Sequence, residues 1–338
     1  MFKGRIPAAQ TGTFPGEVVF TTGMTGYVES LTDPSYAGQI LVFTYPMIGN
    51  YGVLREEAWE SEKIRVAGLI TSELCEGWSH ARATQPLLEW LTRERIPLFT
   101  GVDTRALTKY LRTRGVMQGA IAPKALRLPL PPLQIPFISI PEPRTYGATH
   151  EPTVVLVDCG AKENILRSLL TFPVRVKRVP YDYDYSKEPF AGVVISNGPG
   201  DPADYKETIV VAHKAMRRGL PMFGICLGSQ IMGLAAGATT YKLPFGHRGH
   251  NQPVSATSGA HVPRSTRRCF ITSQNHGYAV DAATLPSDWQ VTFRNLNDQS
   301  VEGLAHKTKP FFSVQFHPEA SPGPTDTAWL FDRFFKAL

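Results

Sequence analysis

The chain of 338 residues is 42% hydrophobic and 19% charged, which excludes a disordered, highly charged chain or a coiled coil and indicates about two domains. Its net charge of +6 comes from scattered Lys and Arg residues, so nucleic-acid binding is not expected. No apolar stretch approaches the ~20 residues of a membrane span, and the opening MFKGRIPAAQ lacks the apolar core of a secretory signal. We therefore expect a cytoplasmic protein that does not bind membranes.

The residues up to position 122 predict a small α+β domain. We expect strands at 16–20 and 38–45 and helices at 84–93 and 103–114. The second helix begins with the capping residue Asp103 and carries Leu107 and Leu111 on one face.

The segment 123–152 contains proline too often for a helix or a central strand. We interpret it as a stiff linker whose Leu, Ile and Phe side chains lie partly against a surface. It separates the N-terminal domain, 1–122, from a larger domain, 153–338.

In the larger domain, apolar and β-branched runs alternate with helical stretches, a pattern typical of a parallel sheet with crossover helices. The expected strands are 153–157, 174–179, 192–196, 221–225, 269–273, 290–294 and 311–315. Helices are expected at 203–218 and in a closing segment through Trp329, Phe331 and Phe334. The prediction is an α/β domain with a mostly parallel, flavodoxin-like sheet, closed by mixed strands.

Cys226 lies between an apolar strand and a helix, in the sequence Gly224-Ile-Cys-Leu-Gly228. This pattern is typical of a nucleophile elbow with Cys in place of Ser, where glycines two residues to either side permit a very tight turn. Backbone N–H groups of the following helix would favour the thiolate and hold an oxyanion. The alternative is a buried structural thiol. The other cysteines, Cys75, Cys159 and Cys269, are expected to be reduced, because no disulfide framework or CxxC pair is present.

A proton donor for this chemistry is predicted at Phe316-His317-Pro318-Glu319, directly after an expected strand. Pro318 fixes the backbone between His317 and Glu319, so the carboxylate can orient the imidazole. His317 would then exchange protons with Cys226. The alternative is a structural histidine beside a surface glutamate.

Two further segments contain polar groups that could bind a small ligand. Gly198 and Gly200, in Ser-Asn-Gly-Pro-Gly-Asp-Pro, follow a parallel strand and could offer backbone N–H groups. Asn275, Gly277 and Tyr278 stand where a strand is expected to end. An ordinary turn and a polar strand end are the alternative interpretations.

Four histidines are candidate metal ligands: His247, His250, His261 and His276. No carboxylate or Cys stands at matching sequence spacing, so no metal site is predicted. GxxxxGK[ST] and GxGxxG motifs are missing from the sequence, and nothing indicates that this chain binds ATP or a dinucleotide.

With these residues defined, the chain resembles the class I, triad-type glutamine amidotransferases, and within them the small, glutamine-hydrolysing subunits of carbamoyl-phosphate synthase. SNGPGDP, FGICLGSQ, SQNHGYAV and FHPEASPGP resemble the glutaminase motifs in order, and FGHRGHNQPV resembles the segment FGHxGxNxPV. GEVVFTTGMTGYVESLTDPSYAGQILVFTYPMIGNYG and GVDTRALTKYLRTRG resemble the domain specific to these small subunits. The match runs almost end to end.

The resemblance implies that Cys226 is the nucleophile and that His317 and Glu319 are its catalytic partners. Leu227 and Gly200 would supply backbone donors to the oxyanion. The remaining positions expected to bind L-glutamine are the side chains of Gln230 and Asn275 and the backbone or pocket walls at Gly23, Gly198, Gly277 and Tyr278.

Some features depart from the family pattern. Ser229 replaces a common His beside Gln230, which implies tuned rather than lost activity, and Gly23 stands where some relatives have a Ser that could touch the substrate. The chain starts later than the family domain, without its first strand, and the linker is shorter. Either a truncated gene model or a compact variant would account for both.

The implied activity is hydrolysis of L-glutamine to L-glutamate and ammonia. The ammonia would pass to a large subunit that binds ATP and a divalent metal and makes carbamoyl phosphate from bicarbonate for pyrimidine and arginine biosynthesis. The chain itself would hold no cofactor and would form a heterodimer or a higher assembly. Two alternatives are an amidotransferase for another synthetase, such as anthranilate or GMP synthesis, and a non-catalytic partner subunit. The N-terminal domain disfavours the first, and the intact Cys226, His317 and Glu319 disfavour the second.

Overall fold

The structure is a computed structural model that describes residues 1–7, 12–124, 130, 133–262 and 268–338. The chain divides into two compact units, Met1–Pro136 and Phe137–Leu338. The boundary falls inside the segment 123–152, part of which lies outside the described residues. Its role as a linker, and the domain limits 1–122 and 153–338, remain predictions.

The first unit is built from short strands and three described helices. Its strands are β1 (Phe14–Thr21), β2 (Gln39–Phe43), β3 (Met47–Ile48), β4 (Val53–Leu54), β5 (Gly68–Ile70), β6 (Glu73–Leu74), β7 (Ala83–Gln85), β8 (Leu98–Phe99) and β9 (Met117–Ile121). Its helices are α1 (Tyr27–Thr32), α2 (Leu87–Arg93) and α3 (Thr104–Arg114).

The described strands of this unit form a main sheet in the order β8-β5-β2-β1-β9, parallel except for the pairing of β9 with β1. Every residue of β2 is buried, as expected for the central strand of a parallel sheet. The predicted helix at 103–114 is confirmed, and the Asp103 carboxylate accepts a hydrogen bond from the Ala106 N–H at 2.8 Å. The helix predicted at 84–93 begins later, at Leu87, because residues 83–85 pair with β4 and Pro86 stands between strand and helix.

The second unit contains longer strands and four described helices. Its strands are β10 (Arg144–Tyr146), β11 (Thr153–Asp158), β12 (Arg175–Pro180), β13 (Gly192–Ile195), β14 (Met222–Ile225), β15 (Thr240–Ala256), β16 (Cys269–Val280), β17 (Trp289–Asn295), β18 (Val301–His306) and β19 (Phe311–Val314). Its helices are α4 (Glu163–Leu169), α5 (Lys206–Met216), α6 (Leu227–Ala236) and α7 (Trp329–Phe335).

These strands form one sheet in the order β10-β12-β11-β13-β14-β19-β18-β17-β15-β16 among the described residues. The strands from β12 to β19 are parallel, and those beyond β19 are antiparallel. The carboxyl ends of β11, β13, β14 and β19 therefore meet at one edge, where ligands of α/β sheets bind. The predicted α/β fold with a parallel core is confirmed.

Helices cover both faces of the parallel core. Val155 and Val157 of β11 pack in one apolar cluster with residues of α5 and α6, while Val154 and Leu156 pack in another with residues of α4 and α7. This alternation follows from the two-residue period of a strand. Both faces of β11 are thereby removed from water, and its end is held in a fixed position.

The antiparallel strands differ most from the sequence-based expectation. β15 was not predicted, because Pro244, Gly246 and Pro253 interrupt its sequence, and its pairing with β16 shifts register twice. β18 was also missed. The expectation that a strand ends at 273 is wrong, since β16 continues to Val280 and its polar residues pair with β15.

The predicted helix at 203–218 is a short 3₁₀ turn at Pro202–Asp204 followed by α5.

Among the described residues, no helix combines the length and the apolar character needed to cross a lipid bilayer.

Candidate active site

Cys226 occupies a sharp turn between β14 and α6, with φ 56° and ψ −106°. A positive φ is rare for a residue with a side chain and indicates a strained position. A Cβ on Gly224 would lie 2.5 Å from the Gly228 oxygen, and a Cβ on Gly228 would lie 2.1 Å from the Ile195 oxygen. The prediction that this turn is too tight for side chains on either side is confirmed.

The sulfur of Cys226 lies in a buried, polar environment. The residue is 2% exposed, and the thiol donates to the Asn275 carbonyl oxygen at 3.5 Å. The Gln315 side-chain Nε2 donates to the sulfur at 3.7 Å. Leu227 is the first residue of α6, where a backbone N–H has no acceptor within its own helix. The sulfur thus lies at a helix N-terminus, where negative charge is favoured.

His317 and Glu319 follow β19, the strand beside β14. His317 Nδ1 and Glu319 Oε1 are 2.6 Å apart, and both side chains are almost completely buried. His317 Nε2 is buried without a hydrogen-bond partner among the described residues. One side of the ring is therefore oriented by the carboxylate, while the other nitrogen is left for a reacting group.

Lys162 forms an ion pair with Glu319 and adds a third charged side chain to the His317–Glu319 pair. Its Nζ lies 3.2 Å from Glu319 Oε1, and its side chain is 3% exposed. The same ammonium donates to the Ala320 carbonyl oxygen, and the Asn164 amide donates to the Glu319 carbonyl oxygen. These contacts fix the segment after His317, and they place a positive charge next to a carboxylate in a buried setting, where paired charges interact strongly.

The nearby charges shift the pKa values of both members of the His317–Glu319 pair. Burial alone would lower the pKa of His317, but the charges of Glu319 and Cys226 and the hydrogen bond to Glu319 raise it well above its usual range. Burial alone would raise the pKa of Glu319, but Lys162 and His317 lower it. The arrangement thus favours an imidazolium beside a carboxylate.

The loop that contains Gly198 and Gly200 lies directly beside this turn. A Cβ on Gly198 would be 1.9 Å from the Cys159 carbonyl oxygen and 2.8 Å from the Leu227 side chain. Gly200 has φ 88°, which favours glycine. The Tyr205 hydroxyl donates to the Pro199 oxygen at 2.9 Å and fixes the loop. The loop is close to the first turn of α6, as its predicted role requires.

The Gln230 side chain forms hydrogen bonds with Tyr278 and Gln315. Its Nε2 donates to the Tyr278 carbonyl oxygen at 2.8 Å and to Gln315 Oε1 at 3.0 Å. Asn275, Gly277 and Tyr278 lie on β16 rather than at a strand end. The structure therefore joins Gln230 to Tyr278 and places the Asn275 carbonyl at the sulfur, and the roles of these residues in binding glutamine stay predictions.

Gly23 belongs to the first unit, in the loop after β1, where its N–H donates to Thr21 Oγ1 at 3.2 Å. Its predicted contact with glutamine remains a prediction.

The unusual Ser229 points into the protein, where its Oγ shares a 2.8 Å hydrogen bond with Ser313 Oγ.

The candidate metal-ligating histidines do not stand apart from carboxylates in the fold. Ligand atoms of His247, His276 and Glu302 all lie within 4.8 Å of one another, so a carboxylate accompanies two of these histidines in the fold although none stands at matching sequence spacing. Sequence spacing could not reveal this, because Glu302 comes from β18. Glu302 Oε1 also accepts a hydrogen bond from Asn295 at 3.2 Å, and His247 pairs with Asp298 at 2.8 Å. The absence of a metal site remains a prediction.

His250 and His261 lie outside that group of three. The pKa of His250 is lowered to about 4 by burial and by the charges of Lys162 and His317, which favours its neutral form. His261 is exposed.

Sequence reasoning missed Lys162 and Gln315. Both stand just beyond the carboxyl ends of parallel strands, β11 and β19, and this position was a usable signal. Their contacts with Glu319 and Cys226 could not be predicted, because they cross long stretches of chain.

Comparison with known proteins defines the class of this site and fold. Residues 155–337 match the family described as "Glutamine amidotransferase class-I". The crystal structure of a Thermoplasma acidophilum protein described as part of a GMP synthase is similar with a TM-score of 0.50 and 26% identity, over 56% of this chain and 95% of that one. The second unit is thus a class I glutamine amidotransferase domain.

The first unit matches a more specific family than the second unit does. Residues 1–121 match "Carbamoyl-phosphate synthase small chain, CPSase domain". The arginine-specific small chain of carbamoyl phosphate synthase from Aspergillus fumigatus is 46% identical over 100% of this chain and 78% of its own length. The "Multifunctional protein CAD" of Squalus acanthias is 46% identical over 99% of this chain, which spans 15% of that protein. The chain belongs to the carbamoyl-phosphate synthase small chain family.

Proposed function

We propose that this chain hydrolyses L-glutamine to L-glutamate and ammonia through a thioester on Cys226. The observation that supports it best is the pairing of two neighbouring strand ends. Cys226 follows β14, and the buried His317–Glu319 pair follows β19, which is hydrogen-bonded to β14. A nucleophile beside a base that is itself oriented by a third group is the arrangement required for nucleophilic catalysis.

The first half-reaction forms the thioester. The Cys226 thiolate attacks the side-chain amide carbon, and the resulting oxyanion accepts hydrogen bonds from the backbone N–H groups of Leu227 and Gly200. The carbon–nitrogen bond then breaks, and the imidazolium of His317 gives its Nε2 proton to the departing ammonia. Glu319, held by Lys162, keeps the His317 ring in place and stabilises its charge.

The second half-reaction returns the enzyme to its starting state. A water molecule attacks the thioester carbon while the neutral His317 accepts one of its protons. The carbon–sulfur bond breaks, glutamate leaves, and Cys226 is again a thiolate beside an imidazolium. The raised pKa of His317 favours this charged pair between turnovers.

The glutamine backbone would be held by the residues around Gln230. Both hydrogens of Gln230 Nε2 donate within the protein, so this side chain offers its Oε1 to a ligand. An oxygen acceptor suits the ammonium group of an amino acid. Asn275 and the backbone at Gly198, Gly277 and Tyr278 would complete the pocket.

The ammonia would be delivered to a carbamoyl-phosphate synthase large subunit. This part of the proposal follows the names of the relatives, an arginine-specific small chain and CAD, and the match of residues 1–121. The large subunit would bind ATP and a divalent metal and use bicarbonate, in pyrimidine and arginine biosynthesis, while this chain would hold no cofactor. We propose a heterodimer or a higher assembly. Four free cysteines fit the reducing environment of the cytoplasm, our proposed location.

The experiment is a glutaminase assay combined with copurification. Purified chain should release glutamate from glutamine, and C226S should not, while the exposed-cysteine control C269S should keep the activity. A large ATP-binding chain retained with the tagged protein would support carbamoyl phosphate synthesis. Retention of a different synthetase, or activity in C226S, would overturn the respective part of the proposal.

A further inference from the structure

Gln315 makes a direct contact with the nucleophile. The residue follows β19, is 1% exposed, and donates from Nε2 to the Cys226 sulfur at 3.7 Å. Its backbone N–H is bonded to the Glu302 oxygen at 2.9 Å. Both its main chain and its side chain are therefore fixed within the core of the sheet.

The orientation of the Gln315 carboxamide is set by its other end. Gln315 Oε1 accepts from Gln230 Nε2 at 3.0 Å, and an amide nitrogen can only donate. The orientation of Gln230 is set in turn by the Tyr278 carbonyl at 2.8 Å, which can only accept. A backbone carbonyl thus determines the direction of two consecutive amides, and the series ends with an N–H group at the sulfur.

This series of hydrogen bonds connects substrate binding, at Gln230, with nucleophilic attack, at Cys226. Gln230 is placed to bind the substrate, and Cys226 attacks it. A hydrogen bond from a neutral donor is stronger to a charged acceptor than to a neutral one, so the Gln315 N–H favours the thiolate over the thiol. It does so without adding a positive charge, and so leaves the imidazolium of His317 as the proton donor for ammonia.

We propose that Gln315 is a positioning residue that holds the Cys226 sulfur as an oriented thiolate and links it to the substrate-binding amide of Gln230. The proposal rests on the proposed glutaminase function for its effect on turnover. Its effect on the sulfur is independent of glutamine and can be measured without it.

The test compares two variants with a matched control. Q315M keeps the approximate volume and removes both hydrogen bonds. Q315E keeps the shape and replaces the donor with a carboxylate oxygen. Q290M is the control, because Gln290 on β17 donates to the Gly259 oxygen and does not contact Cys226.

The first measurement is the rate at which iodoacetamide alkylates Cys226 at pH 7 without glutamine, read by mass spectrometry of the peptide. We expect a ~10-fold loss in Q315M and a larger loss in Q315E, since a hydrogen bond to a charged group is involved. The deficit of Q315E relative to the wild type should shrink as the pH falls, because a carboxyl group that takes up a proton regains a donor. Q290M should react like the wild type.

The second measurement separates kcat from KM for glutamine. Q315M should lose ~10- to 100-fold in kcat, with a smaller rise in KM because Gln230 keeps its bond to Tyr278. Folded variants with wild-type alkylation and kcat would overturn the proposal, as would a pH-independent deficit in Q315E. If Cys226 is alkylated faster in the wild type than in Q315M but the wild type releases no glutamate, the proposed function fails. The role of Gln315 at the sulfur then still stands.

Discussion

The backbone oxygen of Ile195 lies 2.1 Å from the position that a Cβ on Gly228 would occupy. Ile195 ends β13, and Gly228 is in the first turn of α6. The close approach lets the N-terminus of α6 settle against the sheet edge, and Cys226 is carried on the turn that leads into it. The N-terminus of α6 can therefore approach the sheet this closely because Gly228 has no side chain.

A Gly228→Ala variant should disturb both stability and activity. The new methyl group meets backbone atoms rather than a flexible side chain, so α6 must move outward, at a cost of about 1–3 kcal/mol. Urea unfolding should show a lower midpoint, and glutamate release should fall. Gly77→Ala is the control, because nothing lies within 4 Å of the added Cβ. Equal behaviour of both variants would contradict the steric argument.

Cys226→Ser should abolish glutamine-dependent synthesis in the complex and leave ammonia-dependent synthesis intact. An oxygen nucleophile is far less ionised near neutral pH, whereas the use of free ammonia needs no thioester. Both activities are measured on the same preparation, with C75S, C159S and C269S as controls. An electrophilic glutamine analogue should label Cys226 first. Parallel loss of both activities would make Cys226 a structural residue.

His317→Asn should cost more activity than Glu319→Gln. In the proposed mechanism His317 performs both proton transfers, and general acid–base catalysis contributes ~10²–10⁴-fold, so its loss should lower kcat by at least that range. Glu319→Gln keeps a hydrogen bond to His317 but removes the negative charge, and its loss should be milder. Steady-state kinetics of glutamate release decide this, and small, equal losses would refute the assignment.

The stability contributed by His247 should decrease as the pH rises. Burial alone would lower its pKa, but hydrogen bonds and charges from Asp298 and Glu302 raise it from 6.5 to about 9. The folded state therefore binds the proton more tightly, so this contribution is complete below the unfolded value of ~6.5 and is lost as the pH passes about 9. The Tm difference between wild type and His247→Gln should be larger at pH 6 than at pH 9.5. The exposed His261→Gln is the control, and a difference that grows with pH would contradict the sign.

The isolated chain should be a slow glutaminase whose activity rises when the large subunit binds. Ammonia released without an acceptor is lost, so hydrolysis should await a partner with a closed route for it. The first unit contains no part of the proposed triad, and we expect it to provide the main docking surface. Glutamate release is measured for the chain alone, for the chain mixed with its partner, and for that mixture supplied with ATP and bicarbonate. A lone chain as fast as the full mixture would refute the gating.

Local patterns were sufficient to predict the parts of the site that depend on neighbouring residues. The tight turn at Cys226 follows from its flanking glycines, and the His317–Glu319 contact follows from a spacing of two residues across a proline. The contacts of Lys162 and Gln315 could not be predicted, because they depend on which strands become neighbours. β15 was hidden by its prolines and glycines, of which Pro244 and Gly246 lie where its pairing with β16 shifts register.

The pairing of β14 with β19 has a consequence for the newly made chain. Met222–Ile225 and Phe311–Val314 are in direct register, yet four other strands come between them in the sequence. A ribosome-bound chain that has just passed Cys226 carries the thiol but lacks His317, and the edge of β14 that pairs with β19 has no neighbour. Under the proposed mechanism, hydrolysis therefore requires that the polypeptide has been synthesised as far as Glu319 and that β19 has been inserted. Under that mechanism, nascent chains that stop short of Glu319 do not consume glutamine before the fold is complete.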